Sequence, residues 1–489
     1  MANSYAQQID DQEYVARVRR HKPSALVPLL ASVAAQYWRQ NSWLGGPLNG
    51  LFAPWALADI ARVSLVMGNE DRNDATMQDV LECAAAYAAV RDPDLQGTLA
   101  DGRDKFILRL GFEQSLWQQS TRHELGRMVA ILEQTTTSET LKVIQPGWDQ
   151  TLFGCTLSQF VGIGFIAHTL ATKYSGRFST EWLDDPALAD ITSQIPLTVM
   201  DDVLAYHFVG DIDHFRSKRD ENQSSALRRF SLNPLLSQPI VSGIGNELLV
   251  PVPAMALRKV SSSGIWHMGF DRWLNDFAED VGELFEQYVG RQLGTIPEAQ
   301  VLPEIVYNDN DRSVDWIVVG KEAVILVEVK AARSTEDIRL GSPTAWQGLA
   351  DKLAYAFDQI AKTDELIAKS DPKFSHIPPQ LPRLGLIVTM ELFPFANGPP
   401  IRARYGGGAT TIPTGVCSSN ELEWLVSLKD RTFDAHLLQL MTDPAKAGWG
   451  VTADLIGVEF GPNPVLDQAW ASFTWGRPPQ PPADNPGAE

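Results

Sequence analysis

Residues 313–335 read SVDWIVVGKEAVILVEVKAARST and contain two apolar runs separated by a short polar turn. Val, Ile, Leu and Trp dominate both runs, which predicts two buried β-strands that form a hairpin around GKEA. Three charged residues, Asp315, Glu328 and Lys330, interrupt this apolar pattern. Because a buried charge without a partner is costly, we regard these three residues as candidates for a functional cluster.

The length of the turn decides whether the three charged side chains share one face of the hairpin. Side chains alternate between the two faces of a strand, so Glu328 and Lys330 point to the same face. Asp315 joins that face if the loop has two or four residues, and a four-residue loop places it directly opposite Glu328. A three-residue loop without a bulge would put Asp315 on the other face. The sequence permits the cluster but leaves the register open.

Two neighbouring carboxylates and a lysine suit a metal-dependent hydrolase. Carboxylates held close together repel, which raises the pKa of one of them unless a cation lies between them. Mg²⁺ prefers oxygen ligands and keeps several waters, and a metal-bound water can attack a phosphodiester. Lys330 would then orient that water or stabilise charge that develops on the phosphate oxygens.

The hairpin resembles the active-site segment of the PD-(D/E)XK nuclease superfamily. Asp315, followed by VEVK with Glu328 and Lys330, is similar to the D…ExK signature of that superfamily. The residue before the aspartate is Val314, where the signature has proline. The resemblance covers roughly residues 275–430 and leaves the N-terminal half of the chain unexplained.

Two predicted helices extend the resemblance beyond the hairpin. The segment VGELFEQYVGRQL resembles the first core helix of the superfamily and has Glu286 where that helix supplies an acidic residue. The predicted helix after the hairpin carries Gln347 and Gln359, in the region where the second core helix of the family often has an auxiliary glutamine. The resemblance therefore implies a site assembled from a hairpin and the helices on either side of it in sequence.

The function that the resemblance implies is phosphodiester hydrolysis of DNA with Mg²⁺ or Mn²⁺. The metal ligands that it implies are Asp315, Glu328 and Val329, and the catalytic residues that it implies are Asp315, Glu328, Lys330, Glu286 and Gln359. A helical module joined to such a nuclease also resembles the layout of bacterial restriction and anti-phage proteins. Two alternatives stay open: a catalytically silent nucleic-acid-binding or scaffold protein of the same fold, and a helical interaction protein whose triad is only a structural salt bridge.

The 489-residue chain is expected to form a multidomain protein. Residues 1–232 show the three-to-four apolar spacing typical of helices and predict a mainly α-helical domain for regulation, sensing or oligomerisation. Residues 233–270 are rich in Pro, Gly, Ser and Val and predict a connecting segment with some β structure. Residues 271–475 predict a restriction-endonuclease-like α/β domain with a central mixed sheet flanked by helices. The Pro-rich residues 476–489 predict a disordered tail.

Several elements of the C-terminal half are also predicted individually. Residues 271–296 predict one helix, and a second helix is expected to begin after Ser342, whose hydroxyl is suited to cap it. Residues 383–391 predict a further buried strand. Ser418 and Glu421 have the spacing of a capping box at the start of a helix.

Charge and composition narrow the class of protein. The chain has 41 Lys and Arg against 60 Asp and Glu, for a net charge of −19. This balance argues against a protein that grips nucleic acid with its whole surface, so nucleic acid would be bound by a local basic groove, through metal ions or with help from a partner. The first twenty residues are polar and no apolar run suits a membrane helix. We therefore expect a cytoplasmic protein with no membrane contact, which binds a second copy or a partner protein through its helical domain.

Overall fold

The computed structural model describes residues 8–40, 48, 50–92, 100–115, 117, 121–219, 227–245, 247–333, 335–340, 342–403, 412–473 and 475. The α-helices in this part of the chain are α1 (Asp11–Val18), α2 (Pro23–Arg39), α3 (Pro54–Met67), α4 (Met77–Ala89), α5 (Ala100–Ser115), α6 (Thr121–Leu132), α7 (Trp148–Phe153), α8 (Leu157–Lys173), α9 (Ala189–Thr192), α10 (Leu197–Val203), α11 (Ile212–Ser217), α12 (Ala254–Lys259), α13 (Ser262–Trp273), α14 (Asn275–Leu293), α15 (Glu336–Leu340), α16 (Pro343–Ala368), α17 (Pro399–Arg402), α18 (Ser419–Leu425), α19 (Phe433–Thr442) and α20 (Pro464–Ser472).

The β-strands are β1 (Arg177–Phe178), β2 (Val209–Asp211), β3 (Ile240–Ser242), β4 (Leu248–Leu249), β5 (Gln300–Pro303), β6 (Val306–Tyr307), β7 (Asp311–Arg312), β8 (Trp316–Val319), β9 (Val324–Lys330), β10 (Arg383–Thr389) and β11 (Thr414–Ser418). The tail predicted to be disordered, residues 476–489, lies outside the described residues.

The chain forms two compact units, and neither is a single continuous segment. The first, here called the helical unit, comprises the described residues of Met1–Gln96, Gln145–Leu274 and Ala469–Glu489. The second, the sheet unit, comprises those of Gly97–Ile144 and Asn275–Gln468. This division departs from the predicted boundaries, because two helices that precede residue 145 fold with the sheet and the predicted connecting segment folds with the N-terminal helices.

The helical unit is mainly α-helical, as predicted, and also contains a small sheet with strand order β1-β4-β3-β2. The β structure expected in residues 233–270 is present as β3 and β4, but α12 and α13 occupy the rest of this segment. Ser261 explains the start of α13, since its hydroxyl accepts a hydrogen bond from the backbone of Gly264 at 3.5 Å. The single helix predicted over 271–296 is divided at Leu274, whose φ of 54° ends α13 before α14 begins.

A buried ion-pair network connects three segments of the helical unit. Arg228 donates to Asp11 at 2.7 Å and to Asp59 at 3.1 Å, and the Tyr14 hydroxyl donates to Asp59 at 2.8 Å. Both arginine contacts are formed away from solvent, so each charge depends on its partner. These contacts join α1 and α3 to the segment that contains Arg228.

The sheet unit contains the predicted mixed sheet, with strand order β11-β10-β9-β8-β5. Strands β9, β10 and β11 run parallel, whereas β8 is antiparallel to both β9 and β5. Helix α16 packs on the face of β9 that carries the even-numbered residues, where it forms one buried core with the sheet. The core residues that these elements contribute include Val324, Leu326, Ile387, Val416, Leu353, Ala356, Phe357 and Ile360.

Helix α14 packs against the sheet through a close contact at Gly290. A Cβ atom at this position would overlap the ring of Trp316, so the helix can approach the hairpin only with glycine there. The Trp316 indole also donates a hydrogen bond to the carbonyl of Glu286 at 3.1 Å. Together these contacts fix the turn of α14 that carries Glu286 beside the start of β8.

Most of the individually predicted elements of this unit are confirmed. Helix α16 begins at Pro343, directly after Ser342, although the Ser342 hydroxyl makes no capping hydrogen bond. Strand β10 forms within residues 383–391. Ser418 and Glu421 form the predicted capping box at the start of α18. Strand β5, which completes the sheet beside β8, was not predicted from the sequence because its four residues are only partly buried.

The described residues between 100 and 144 contact the sheet unit in two ways: Leu108 and Phe112 of α5 lie in its hydrophobic core, and polar groups of α6 and the loop after it are buried there. Arg127 makes two hydrogen bonds to the buried carboxylate of Glu423, at 2.5 and 2.7 Å, and a third to Glu124 at 2.8 Å. The Tyr288 hydroxyl donates to the same Glu423 carboxylate at 2.6 Å. Further along, Asp280 of α14 accepts hydrogen bonds from three consecutive backbone amides, those of residues 142–144.

We predict that Arg127→Ala lowers the free energy of unfolding of the sheet unit by about 3–5 kcal/mol, because it leaves the Glu423 carboxylate buried without its cation. Arg122→Ala is the matched control on the same helix, since Arg122 pairs with Asp467 at 2.9 Å but both side chains are largely exposed. The control should lose at most about 1 kcal/mol. Urea denaturation of both variants and the parent measures the difference. Equal losses in the two variants would contradict this account of residues 97–144.

The turn of the β8–β9 hairpin has four residues, 320–323, and is held by a residue more than a hundred positions away. The Asp434 carboxylate accepts hydrogen bonds from the backbone amides of Glu322 at 2.7 Å and Ala323 at 3.3 Å. The Gly320 amide donates to the Ala323 carbonyl at 3.0 Å, which closes the turn. A Cβ atom at Gly320 would overlap the Asp434 side chain, so this approach requires glycine.

Asp434→Ala should destabilise the sheet unit by about 2 kcal/mol, because two turn amides lose their acceptor in a largely buried setting. Asp430→Ala, four residues earlier, removes a carboxylate that is 46% exposed and pairs with the neighbouring Arg431, and it should change stability little. Chemical denaturation provides the comparison. A loss for Asp430→Ala as large as that for Asp434→Ala would show that the turn contact is not the cause.

Candidate active site

The four-residue turn brings the predicted carboxylates together on one face of the hairpin. The register pairs Trp316 with Val327 and Val319 with Val324, so Asp315, directly before β8, lies opposite Glu328. Asp315 also accepts a hydrogen bond from the backbone amide of Val329 at 2.6 Å. Of the two registers that the sequence left open, the structure has the one that clusters Asp315, Glu328 and Lys330.

Glu328 is the most buried member of this cluster, with 2% of its surface exposed. Lys330 donates to its Oε1 atom at 2.5 Å, whereas Oε2 has no hydrogen-bond partner among the described residues. Burial and, after it, the negative charge of Asp315 raise the pKa of Glu328. Burial likewise raises the pKa of Asp315, although the Val329 amide and Lys330 oppose this. A pair of buried carboxylates with an unsatisfied oxygen is costly to keep ionised.

Lys330 is the cation that faces the two carboxylates, and its side chain is 21% exposed. Its ammonium lies 5.3 Å from the centre of the Tyr355 ring, which projects from α16 and is 59% exposed. The ammonium therefore lies between a buried carboxylate and an exposed aromatic ring. The Glu328–Lys330 pair is not a solvated surface salt bridge, since its carboxylate is inaccessible to water.

Glu286 of α14 lies within electrostatic range of the hairpin cluster. Burial raises its pKa to about 7, and the charges of Asp315, Glu283 and Glu304 add to this shift. Glu283 is held by the Thr137 hydroxyl, and Glu304 pairs with Arg312 at 2.7 Å. The site and its surroundings thus contain more carboxylates than the three that the sequence identified.

Of the two glutamines on α16, Gln359 lies on the part of the helix that contacts the hairpin. Tyr355 faces Lys330, and Thr363 accepts a hydrogen bond from the backbone amide of Val314 at 3.1 Å. Gln359 lies midway between these residues on the same helical face, because positions four apart are stacked on an α-helix. Gln347 is three turns earlier and donates instead to Asp351 at 2.8 Å.

A divalent cation fits the donor set of this cluster. Asp315 and Glu328 offer carboxylate oxygens, one of them without a partner, and Val329 between Glu328 and Lys330 can contribute only its backbone carbonyl. Within the residues that the structure describes, no group of three or more His, Cys, Asp and Glu side chains is arranged to hold a metal ion. A metal here would therefore have two carboxylates, a carbonyl and several waters as ligands, which is the coordination that Mg²⁺ favours.

No protein-family model matches the chain, and neither a curated protein nor a solved structure is significantly similar to it. The resemblance to PD-(D/E)XK nucleases therefore stays a prediction from the sequence motifs alone. In the described part of the chain, no helix has the length and apolar character needed to cross a membrane.

Three residues near the cluster were not identified from the sequence: Glu304, Tyr355 and Thr363. Glu304 follows the short strand β5, and its charge acts on both Asp315 and Glu286. Tyr355 and Thr363 flank Gln359 at four-residue spacing, which is the one signal in the sequence that could have identified them. Nothing in the local pattern around Glu304 distinguishes it from a surface glutamate.

We predict that Mg²⁺ and Mn²⁺ raise the melting temperature of the parent chain, whereas Asp315→Asn abolishes most of that rise. A metal-ion concentration of about 100 times Kd adds about 2.7 kcal/mol to the free energy of unfolding. In EDTA the variant should be no less stable than the parent, because one charge of a mutually repelling pair is removed while an oxygen remains to accept from Val329.

The matched control for this experiment is Asp311→Asn, an exposed aspartate four residues earlier in the same segment. It should show the same metal-induced rise as the parent. Thermal melts of the three proteins in EDTA, Mg²⁺, Mn²⁺ and Ca²⁺ give the comparison. Equal rises in the parent and in Asp315→Asn would mean that the cation binds elsewhere.

Proposed function

We propose that this protein is a divalent-metal-dependent endonuclease that hydrolyses phosphodiester bonds, with DNA as its substrate. The observation that carries the proposal is the buried Glu328 carboxylate, which lies opposite Asp315, has one oxygen without a partner and is offset by Lys330. As a structural salt bridge, such an arrangement would stabilise the sheet less than an apolar pair or an ion pair with all its hydrogen bonds formed. It suits a site that becomes neutral when it binds a cation.

The architecture of the sheet unit supports a restriction-endonuclease-like fold. Its mixed sheet has α14 against the Trp316 face of the hairpin and α16 against the Glu328 face, which agrees with the order of core elements that the resemblance implies. Glu286 and Gln359, which come from these two helices, lie near the hairpin residues. The five residues implied by the resemblance come from the hairpin and from these two helices, which supports a single site for them.

Each residue has a distinct chemical task in this proposal. The bound Mg²⁺ or Mn²⁺ would supply an acidified water and stabilise charge on the scissile phosphate. Asp315, Glu328 and the Val329 carbonyl would hold the cation. Lys330, which is not a ligand, would hydrogen-bond a phosphate oxygen on which charge develops.

Glu286 and Gln359 would assist on either side of the scissile phosphate. With a pKa of about 7, Glu286 can gain or lose a proton near neutral pH, which suits an outer-sphere base or a carboxyl that shares a proton with bound water. Gln359 would orient the substrate or the attacking water through its amide.

The acidic surface is consistent with an enzyme that engages nucleic acid only with help from metal ions or a partner. We propose that the helical unit binds a second copy or a partner protein, as in the restriction and anti-phage proteins whose layout it resembles. The thiols of Cys83, Cys155 and Cys417 are free and buried, which suits the cytoplasm as the place of action.

We predict that Lys330→Ala reduces cleavage of plasmid DNA in Mg²⁺ or Mn²⁺ by about 100- to 1,000-fold, because the charge that develops on the phosphate loses its stabilising ammonium. The metal-induced rise in melting temperature should persist, since Lys330 is not a ligand. Lys321→Ala, in the turn of the same hairpin, is the matched control, because Lys321 is 65% exposed and forms an ion pair with the exposed Glu298. It should cleave like the parent.

The same assays distinguish the alternatives. A parent chain that binds Mn²⁺ through Asp315 but cleaves neither DNA nor RNA, duplex or single-stranded, would be a silent binding protein. Cleavage by Lys330→Ala at the parental rate would remove Lys330 from the mechanism. Ca²⁺ should raise the melting temperature but support little cleavage, because its looser coordination positions the attacking water poorly.

A further inference from the structure

A cavity of about 340 Å³ lies in the sheet unit at the carboxyl ends of β10 and β11. Thr389 and Ser418, the last residues of these strands, line it. Thr389 is paired with Lys330 in the register of β9 and β10, so the cavity begins one strand away from the proposed catalytic hairpin. Its volume is at the lower end of the range for small-molecule sites, ~300–1,000 Å³, and is sufficient for one base with its sugar.

The wall of the cavity has two polar groups with hydrogen-bonding capacity left. Glu421 accepts from the Ser418 amide at 2.8 Å and hydroxyl at 3.0 Å and from the Thr452 hydroxyl at 3.0 Å, and no cation in the described part of the chain pairs with it. A carboxylate has about four acceptor positions, so one stays open to a ligand. The side-chain amide of Gln114 also lines the cavity and makes no hydrogen bond to any described residue. By contrast, the Asn397 amide both donates to and accepts from the backbone of Val416.

Two exposed aromatic rings belong to the loops that line the cavity. Phe395 lines it directly and is 55% exposed. Its φ of 61° lies in the left-handed region, which a bulky aromatic residue adopts only when its surroundings impose it. Two residues further on, Asn397 makes two hydrogen bonds to the backbone of Val416, each 2.8 Å, which attach this loop to the edge strand β11. Trp449, which is 47% exposed, lies between two lining glycines on the opposite loop.

We propose that this cavity binds a nucleobase that carries an exocyclic amino group. Phe395 supplies a face on which a planar base stacks, and stacking of this kind tolerates any base. Glu421 accepts from the amino group, and Gln114 completes the contact with the edge of the base. A carboxylate without a cation disfavours an anionic ligand, so the sugar and phosphate would lie away from Glu421.

The base has two conceivable sources, a free nucleoside or a nucleotide extruded from the nucleic-acid substrate. The second source depends on the proposed nuclease function, whereas base binding itself does not. Extrusion is consistent with the position of the cavity one strand from Lys330, because an enzyme that acts on a backbone phosphate can hold the neighbouring base outside the stack.

The test measures binding of 2-aminopurine riboside by its fluorescence, and binding of an oligonucleotide that contains one 2-aminopurine, in Ca²⁺. We expect at least one probe to bind, and Phe395→Ala to weaken its binding about tenfold through loss of stacking. Gly450→Leu should also abolish binding, since the nearest atom to a Cβ there is Glu421 Oε1 at 4.0 Å and the longer side chain has room to enter the cavity. Purine riboside, which lacks the amino group, should compete about tenfold less well.

Ile456→Ala is the matched control, because Ile456 is 93% exposed in the same unit and lies away from the lining. Binding of the free riboside that depends on Phe395 and Gly450 identifies a nucleoside site. Binding of only the oligonucleotide, with a loss when an abasic site replaces the 2-aminopurine, identifies an extruded base. No binding of either probe, or binding by Phe395→Ala and Gly450→Leu equal to that of Ile456→Ala, overturns the proposal. Cleavage by the parent is measured separately, so failure of one proposal is distinguishable from failure of the other.

Discussion

The four-residue turn between β8 and β9 is the constraint on which the site depends. Because side chains alternate faces along a strand, one residue more or less in this turn would carry Asp315 to the opposite face of the sheet. Asp434 prevents such a slip by accepting both turn amides, and Gly320 allows the carboxylate to approach. A residue from α19, distant in sequence, thereby determines which charges meet at the other end of the hairpin.

This register brings several carboxylates close together in a buried part of the sheet, where their ionised forms are unfavourable. Burial raises the pKa of Asp315, Glu328 and Glu286, the charge of Asp315 adds to the shift of the two glutamates, and Lys330 offsets only part of these shifts. Proteins generally place such conflicts at sites of function, where a ligand resolves them. The burial of Val, Ile and Leu side chains in the surrounding core, together with the packing of α14 and α16, offsets the destabilising effect of these charged residues.

Hydrophobic and electrostatic contacts both account for the discontinuous composition of the sheet unit, since Leu108 and Phe112 of α5 lie in its hydrophobic core and Arg127 of α6 pairs with a buried carboxylate. Glu423 is buried and accepts a hydrogen bond from Tyr288 of α14, and the cation that neutralises it, Arg127, comes from a segment that precedes the rest of this unit by more than a hundred residues. Helical periodicity in residues 1–232 identifies helices but says nothing about which hydrophobic core each one joins. The domain boundary predicted at residue 271 is close to Asn275, where the sheet unit resumes. That α5 and α6 belong to the sheet unit could not be foreseen from helical periodicity.

The sequence by itself determined the local elements: the hairpin strands, α16, β10, the Ser418–Glu421 capping box and the identity of the three charged residues in β8–β9. These follow from side-chain period and short-range hydrogen bonding, which operate over a few residues. Only the tertiary structure decided the register of the hairpin and the position of Glu286, which depends on the close packing of Gly290 against Trp316. It also decided which glutamine of α16, Gln359 or Gln347, lies towards the hairpin, and it added Glu304 and Tyr355 to the surroundings of the site. Each of these depends on contacts between residues far apart in the chain, and such contacts leave no period or spacing in the sequence.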